Sequence, residues 1–564
     1  MQLKHILPIT LVAVIAGCST SSALNEDAST TERDVTEQEV SRQPLPATQE
    51  IVVTAGHQKA KSALFDHAGI NRSLAFHQPP FYQDAGRERY PEITDNGMIW
   101  ADQIPLSTFS IDVDTAAYAN VRRQLNQGLM PAPDSVRVEE MINYFGYDYP
   151  RADSKTMPFS IYTEIGPSPW HADRKLLHIG LNGWQDSADA DLPPTNLVFL
   201  IDVSGSMQAP DKLPLLKSAL KMLARQLRPE DSVALAVYAG AAGEVLAPTS
   251  GDRWAEIEAA INNLQAGGST NGEAGIHLAY QLAAKAFKKE GVNRVILATD
   301  GDFNVGTANP DELERLVEQK RKSGVALTVL GFGTGNYNDT LMQKIAQIGN
   351  GNAAYIDSLN EARKVLVEEI GATLNIIAKD TKVQVEFNPA VVETYRLIGY
   401  ETRHLDREDF SNDKVDAGDI GAGHTVTALY EITLRDDPSA IDDLRYQRAT
   451  NSTIEADEIA FVKLRYKAPE SDKSQLVTRP VRLADLVDDI ASTSADYRFS
   501  GAVAWLGQHL RNSKYTSSDL DALVKLAEQA RGSDGHGYRA EFINLARTVA
   551  ALQPAVEPSA EPAG

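Results

Sequence analysis

The sequence predicts an α/β chain: a mainly parallel sheet with helices on both faces, flanked by β-rich regions and followed by a helical C-terminal region. Three observations carry this. Between Asn196 and about Ile370, continuous apolar runs alternate with amphipathic stretches, the pattern of parallel strands buried on both faces and joined by helices. After residue 371, "KVQVEFNPAVVETYRLIGYETR", "HTVTALYEITL" and "IAFVKLRYKAP" alternate apolar and polar residues in period two, as half-buried strands do. From Leu483 onward, "SADYRFSGAVAWLGQHLRNS", "SDLDALVKLAEQARG" and "GYRAEFINLARTVAAL" return to helical spacing.

At 564 residues the chain is long enough for several domains. Its 77 acidic against 54 basic side chains give a net charge of −23, which argues against nucleic acid, because phosphate binding needs clustered Lys and Arg. An acidic surface suits cation binding and plain solubility alike. The single cysteine, Cys18, excludes an intramolecular disulfide.

That cysteine closes the opening segment "MQLKHILPITLVAVIAGCST". Lys4 and His5 form a short basic start, and Ile6 to Ile15 an apolar run too short to cross a bilayer. Ala16 and Gly17 then precede Cys18, and "IAGC" resembles a bacterial lipobox. The resemblance implies a signal peptide over 1–18, a lipid on Cys18 and, with Ser19 following, sorting to a Gram-negative outer membrane, the rest of the chain facing the periplasm. A simple anchor helix and a cleaved secretory signal are the alternatives. Residues 19–96 read as a disordered tether, rich in Ser, Thr and acids and unable to bury enough apolar surface to offset ordering. Within it "EIVVTAG", residues 50–56, is a short sticky strand or, by resemblance, a TonB box offering a TonB contact.

Residues 97–190 read as an α+β flank. Phe109, Ile111 and Val113 alternate as in a strand. "AAYANVRRQLNQG" is a helix stopped by Gly128, "VRVEEMINYF" a second helix, and "FSIYTEIGPSPW" and "KLLHIGLNG" two more strands. The central α/β region is placed at 191–370, a β-rich region at 371–482, helices at 483–553 and a disordered Pro-rich tail at 554–564. In the first central helix, Leu213, Leu216, Leu220, Leu223 and Leu227 recur on one face. Because β-rich sequence lies on both sides of the central region, those neighbours are expected to pack into one platform.

Asp202, Ser204 and Ser206 end the apolar run "LVFLIDVSGSM"; Asp300 ends "NRVILATDGD"; Thr270 lies in the intervening loop "QAGGSTN". In open parallel sheets, ligands bind beyond the carboxyl ends of the strands. Two carboxylates and three hydroxyls are hard oxygen donors of low total charge, suited to Mg²⁺, Mn²⁺ or Ca²⁺ with a coordination position left for water or a partner. Gly205, Gly267, Gly268 and Gly301 would let backbone approach the ion. Taken singly, Asp202 reads equally as a helix N-cap and Asp300 as a turn acid.

Taken together, Asp-x-Ser-x-Ser after the first strand, a distal Thr and a distal Asp-Gly resemble the metal-ion-dependent adhesion site of von Willebrand factor type A domains. The resemblance implies a metal held by Asp202, Ser204, Ser206, Thr270 and Asp300, and a protein partner whose acidic residue completes the shell. From "STFSIDVDTAAYANVRRQL" to the C-terminal "DAGDIGAGHTVTALYE", the chain also resembles the bacterial YfbK-type lipoproteins. A binding module, not an enzyme, is the reading. A structural envelope scaffold with a metal-stiffened domain is the alternative. A metal-dependent hydrolase using Asp302 or Glu273 is less favoured, since His277 sits in a helix pattern and no HExxH, nucleophile elbow or P-loop occurs in a fitting context.

Overall fold

The computed structural model describes residues 88–111, 114–185, 193–268, 272–301, 310–335, 337–369, 375–415, 417–435 and 457–552, all within a compact unit of residues 81–564. Cys18, the segment 50–56, Thr270 and Asp302 lie outside the described residues.

The chain first lays down strands β1 (Ile99–Trp100) and β2 (Leu106–Ser110), helices α1 (Ala116–Asn126) and α2 (Val138–Asn143), and strands β3 (Phe159–Pro167) and β4 (Lys175–Gly183). Gly128, at φ 74°, follows the end of α1 in the left-handed region that lets a chain leave a helix.

The central region then runs β5 (Thr195–Asp202), α3 (Leu213–Ala224), β6 (Ser232–Tyr238), β7 (Ala242–Ser250), α4 (Trp254–Asn262), α5 (Gly272–Lys285), β8 (Val292–Thr299), α6 (Pro310–Arg321), β9 (Ala326–Phe332), α7 (Asp339–Ile348), β10 (Ala353–Ile356) and α8 (Leu359–Arg363). Its sheet has the order β10-β9-β8-β5-β6-β7, parallel except for β7. Alternate residues of β5 enter opposite cores. Val198 and Leu200 pack with Ile276 and Ala279 of α5 and Leu313 and Val317 of α6. Leu197, Phe199 and Ile201 pack with Leu213, Leu216, Leu220 and Leu223 of α3 and Ile257 and Ile261 of α4. Helices therefore cover both faces, which is why these strands read as unbroken apolar runs. Two details depart from the sequence pattern. Leu227, expected on the α3 stripe, lies beyond the end of the helix at Ala224 and is only partly buried. The antiparallel edge strand β7 gave no strand signal, because most of its side chains remain partly exposed and no face of it is continuously apolar.

The remaining strands are β11 (Ile376–Phe387), β12 (Val392–Ile398), β13 (Gly418–Gly421), β14 (Thr425–Leu434), β15 (Glu458–Lys467) and β16 (Ser474–Arg482). They do not form a sheet of their own. One sheet has the order β1-β12-β14-β4-β3, and the other runs β13-β11-β15-β16 with β2 paired to β11. Residues 97–190 and 371–482, set apart in the sequence, thus share both sheets, and the central region is inserted between them. Pro480 lies in β16, an edge strand, where a missing N–H is tolerated.

Three helices, Ala495–Leu510, Leu520–Gln529 and Tyr538–Leu552, pack on this platform through a core shared with α1 and α2. At their junction with β4 lies His178, fully buried and ringed by Tyr147, Tyr149, Tyr162 and Tyr497. Its Nε2 is 2.6 Å from the Tyr149 hydroxyl and its Nδ1 is 3.1 Å from Ser500 Oγ. Burial pushes the imidazole down to about 4. Because that value is depressed on folding, the unfolded chain binds a proton first as pH falls from about 6.5 to about 4, and stability is lost across that window. Urea denaturation of wild type and His178→Gln should show the wild type losing about 3 kcal/mol more than the variant between pH 7 and pH 4. Parallel pH profiles would contradict this account.

Candidate metal centre

The carboxyl ends of β5 and β8 are neighbours, with Ile201 opposite Ala298 in a parallel register. That register brings Asp202 and Asp300, the residues just past the two paired segments, to the same edge, and both are fully buried. Ser204 is buried and Ser206 exposed, with their Oγ atoms 3.0 Å apart. The Asp202 carboxylate accepts from the Ser204 N–H at 2.8 Å and from the Tyr238 hydroxyl at 3.3 Å. Both donors are neutral. Burial, and after it the charge of Asp300, pushes the Asp202 carboxyl up to about 6. An acid held this way is what a cation at the sheet edge would relieve.

Thr270 itself is outside the described residues, but the loop leading to it is docked on the serine turn. Gly267 N–H donates to Val203 O at 2.7 Å, and Gly268 O accepts from Gly205 N–H at 3.1 Å. Gly205, Gly267 and Gly268 are exposed, so the serine turn and this loop bound an accessible edge. The donors present, two acids and two hydroxyls, therefore fit a hard divalent cation in part, with Thr270 expected from the docked loop. Among the described residues no group of three or more His, Cys, Asp and Glu side chains assembles as a metal site. Glu273 and His277 are exposed on α5 and line a separate cleft of about 300 Å³ with Glu312 and Arg315.

Lys212 is the residue that sequence reasoning missed. Sitting at the N-cap of α3, it is 6% exposed, and its Nζ donates to Asp300 Oδ2 at 2.9 Å. Its aliphatic stem lies over Gly333, just beyond β9, where an added Cβ would overlap Cγ, Cδ and Cε of the lysine. Gly333 also has φ 72°, so a side chain there is disfavoured twice. In "APDKLP" the lysine reads as an ordinary polar residue before an amphipathic helix, and no local pattern shows that it turns back to the strand ends.

Three family models match this chain: a von Willebrand factor type A domain over residues 196–368, the C-terminal region of the uncharacterized protein YfbK over 372–552, and a model described as von Willebrand factor over 84–178. YfbK of Escherichia coli K12 is 49% identical over 470 residues, 82% of this chain and 80% of that one. The chain belongs to the YfbK family. Protein sll0103 of Synechocystis is 25% identical over 62% of this chain and 79% of its own length. Among solved structures, a von Willebrand factor type A protein from Catenulispora acidiphila aligns over 68% of this chain and 89% of its own, at 16% identity and a TM-score of 0.38. This YfbK-family chain carries a von Willebrand type A domain as its inserted region.

Two outcomes test the geometry. Asp202 is harder to ionise in the folded state, so its charge costs stability above about pH 6, and that cost is absent below the ordinary carboxylate range. Asp202→Asn should therefore raise the stability in EDTA at pH 8 by on the order of 2 kcal/mol and make the melting temperature indifferent to Mg²⁺. A lower Tm in EDTA with the Mg²⁺ response retained would contradict it. Gly333→Ala should cost about 2–3 kcal/mol in urea denaturation, from the positive φ and the collision with the Lys212 stem. A loss within about 0.5 kcal/mol would mean the lysine stem has room to move aside.

Proposed function

We propose that this YfbK-family protein is a cell-envelope binding module: its type A domain holds a divalent cation, Mg²⁺ first among them, and uses it to capture an acidic residue of a protein partner. Asp202, Ser204, Ser206, Thr270 and Asp300 hold the metal. The observation that carries this is the buried Asp202 carboxylate, supported only by neutral donors, beside two serine hydroxyls at an accessible sheet edge. When bound, the cation supplies a Lewis-acidic position for a foreign carboxylate. The residues of this chain orient the serines, bury the acids and keep the edge open. The lipobox resemblance supports a lipid on Cys18 and an outer-membrane anchor facing the periplasm. Among the described residues no helix is long and apolar enough to cross a membrane.

The role proposed is binding without catalysis. Glu273 and His277 line a cleft between α5 and α6 whose lining includes none of Asp202, Ser204, Ser206 and Asp300, and neither is assigned a role at the metal. The scaffold reading, in which the cation only stiffens the domain, is separated by experiment. Isothermal titration of the full chain should give Mg²⁺ binding that Asp202→Ala abolishes; equal binding by that variant would refute the site assignment. In cross-linking pull-downs from native membranes, EDTA and Thr270→Ala should each release the partner, and Thr270→Ala should leave the melting temperature in Mg²⁺ within a few degrees of wild type. Partner retention under both conditions would favour the scaffold.

A further inference from the structure

Among the described residues, Asp202, Asp300 and Lys212 are the charged groups that meet at the sheet edge. Asp202 and Asp300 are buried carboxylates, and Lys212, also buried, places its ammonium 2.9 Å from Asp300 Oδ2. The lysine cannot easily leave: its backbone caps α3, its stem lies on Gly333, and the Gly333 carbonyl is itself held by the Tyr355 hydroxyl at 2.6 Å. A surface ion pair would contribute little, but here neither partner is screened by water.

We propose that Lys212 is a built-in counter-cation that weakens the metal site for the bare ion and reserves its full strength for the complex with a partner carboxylate. This rests on the metal-site reading above. Two carboxylates and one ammonium carry one net negative charge between them. A divalent cation turns that into one net positive charge, and a partner's carboxylate brings the set to neutrality. Without the lysine, the ion alone would neutralise the two aspartates, and a partner carboxylate would arrive with an uncompensated charge. Lys212 therefore trades affinity for the free ion against affinity for the acidic partner group, so the two ligands bind more tightly together than apart.

The test is isothermal titration of MgCl₂ into the full chain, with and without sodium acetate as the carboxylate probe, for wild type, Lys212→Met, Lys212→Gln and Lys212→Arg. The neutral variants should bind Mg²⁺ about tenfold more tightly than wild type and lose most of the gain in Mg²⁺ affinity that acetate gives the wild type. Lys212→Arg, which keeps the charge, should stay near wild type. If a neutral variant that melts cooperatively binds Mg²⁺ no more tightly than wild type, the counter-cation role is overturned while the metal site stands. Should one neutral variant fail to fold, the other is read. If a neutral variant binds Mg²⁺ alone while wild type binds it only with acetate present, the inference holds in its strongest form; if wild type binds none even with acetate while a neutral variant binds it, the lysine merely blocks the site and the inference is overturned. If wild type and every variant fail to bind Mg²⁺, the metal-site reading falls, and this inference with it.

Discussion

Arg122 and Arg137 are 1% and 2% exposed, and between them they hold the carboxylates of Asp357, Glu361, Glu541, Glu140 and Asp339. Arg122 also donates to the Tyr144 hydroxyl at 2.9 Å, whose ring stacks on Tyr118. A guanidinium buried this deeply is tolerable only when its fork is filled, and removing one partner of such a pair typically costs about 3–5 kcal/mol. The pairs join distant parts of the chain. Arg122 lies on α1 and Arg137 just before α2, whereas Asp339 begins α7, Asp357 follows β10, Glu361 lies on α8 and Glu541 on the last helix. Apolar surface can slide; a planar five-donor fork with fixed partners cannot. The type A domain is therefore seated on its platform in one orientation by charge geometry, with apolar burial supplying the bulk attraction.

That ionic seam connects through buried side chains to the sheet edge of Asp202 and Asp300. Tyr337 donates to Asp339 at 3.0 Å and meets the Tyr355 ring at a centroid distance of 4.8 Å. Tyr355 holds the Gly333 carbonyl, Gly333 receives the Lys212 stem, and Lys212 reaches Asp300. The contiguity supplies position. A site built from two acids and a lysine keeps its charge balance only while the ammonium stays within hydrogen-bonding reach of one particular carboxylate. Residues whose own rotamers are fixed by packing keep it there.

How much of this is legible in the sequence follows from how local each signal is. The parallel sheet announces itself because both faces are covered, so β5 from Leu197 to Ile201 and β8 from Val295 to Ala298 are unbroken apolar runs, beyond which Asp202 and Asp300 stand out. The edge strands β7 and β16 do not, because a half-wet edge needs no clean alternation and even admits Pro480. Interleaving is invisible for a different reason: β4 and β14 are each ordinary half-buried strands, and nothing local in either says that Leu181 pairs with Val426. Lys212, Arg122 and Arg137 share that difficulty. Each looks like a solvated charge on a helix, and only the long-range approach of Asp300, Asp357 and Asp339 shows otherwise. Motifs built from neighbours in sequence can be read; charge partners built from topology cannot.

The insertion has a mechanical consequence. The chain leaves the platform after Gly183 and re-enters it at Ile376, and these points are adjacent: a Cβ at Gly183 would meet Ile377 Cδ1 and the Gly421 carbonyl, both at 2.9 Å. Because entry and exit meet at one corner, the host sheet closes across the insertion, with β4 paired to β14 along eight residues, and inserting the domain does not interrupt the ladder. A domain held only at such a corner would be free to pivot on its two crossings. Here Arg122 and Arg137 fasten it at further points, on the loops and helices that follow β9 and β10. Rotation of the inserted domain about its two crossings then has to open a buried, hydrogen-bonded ion pair, at a typical cost of about 3–5 kcal/mol for each partner lost.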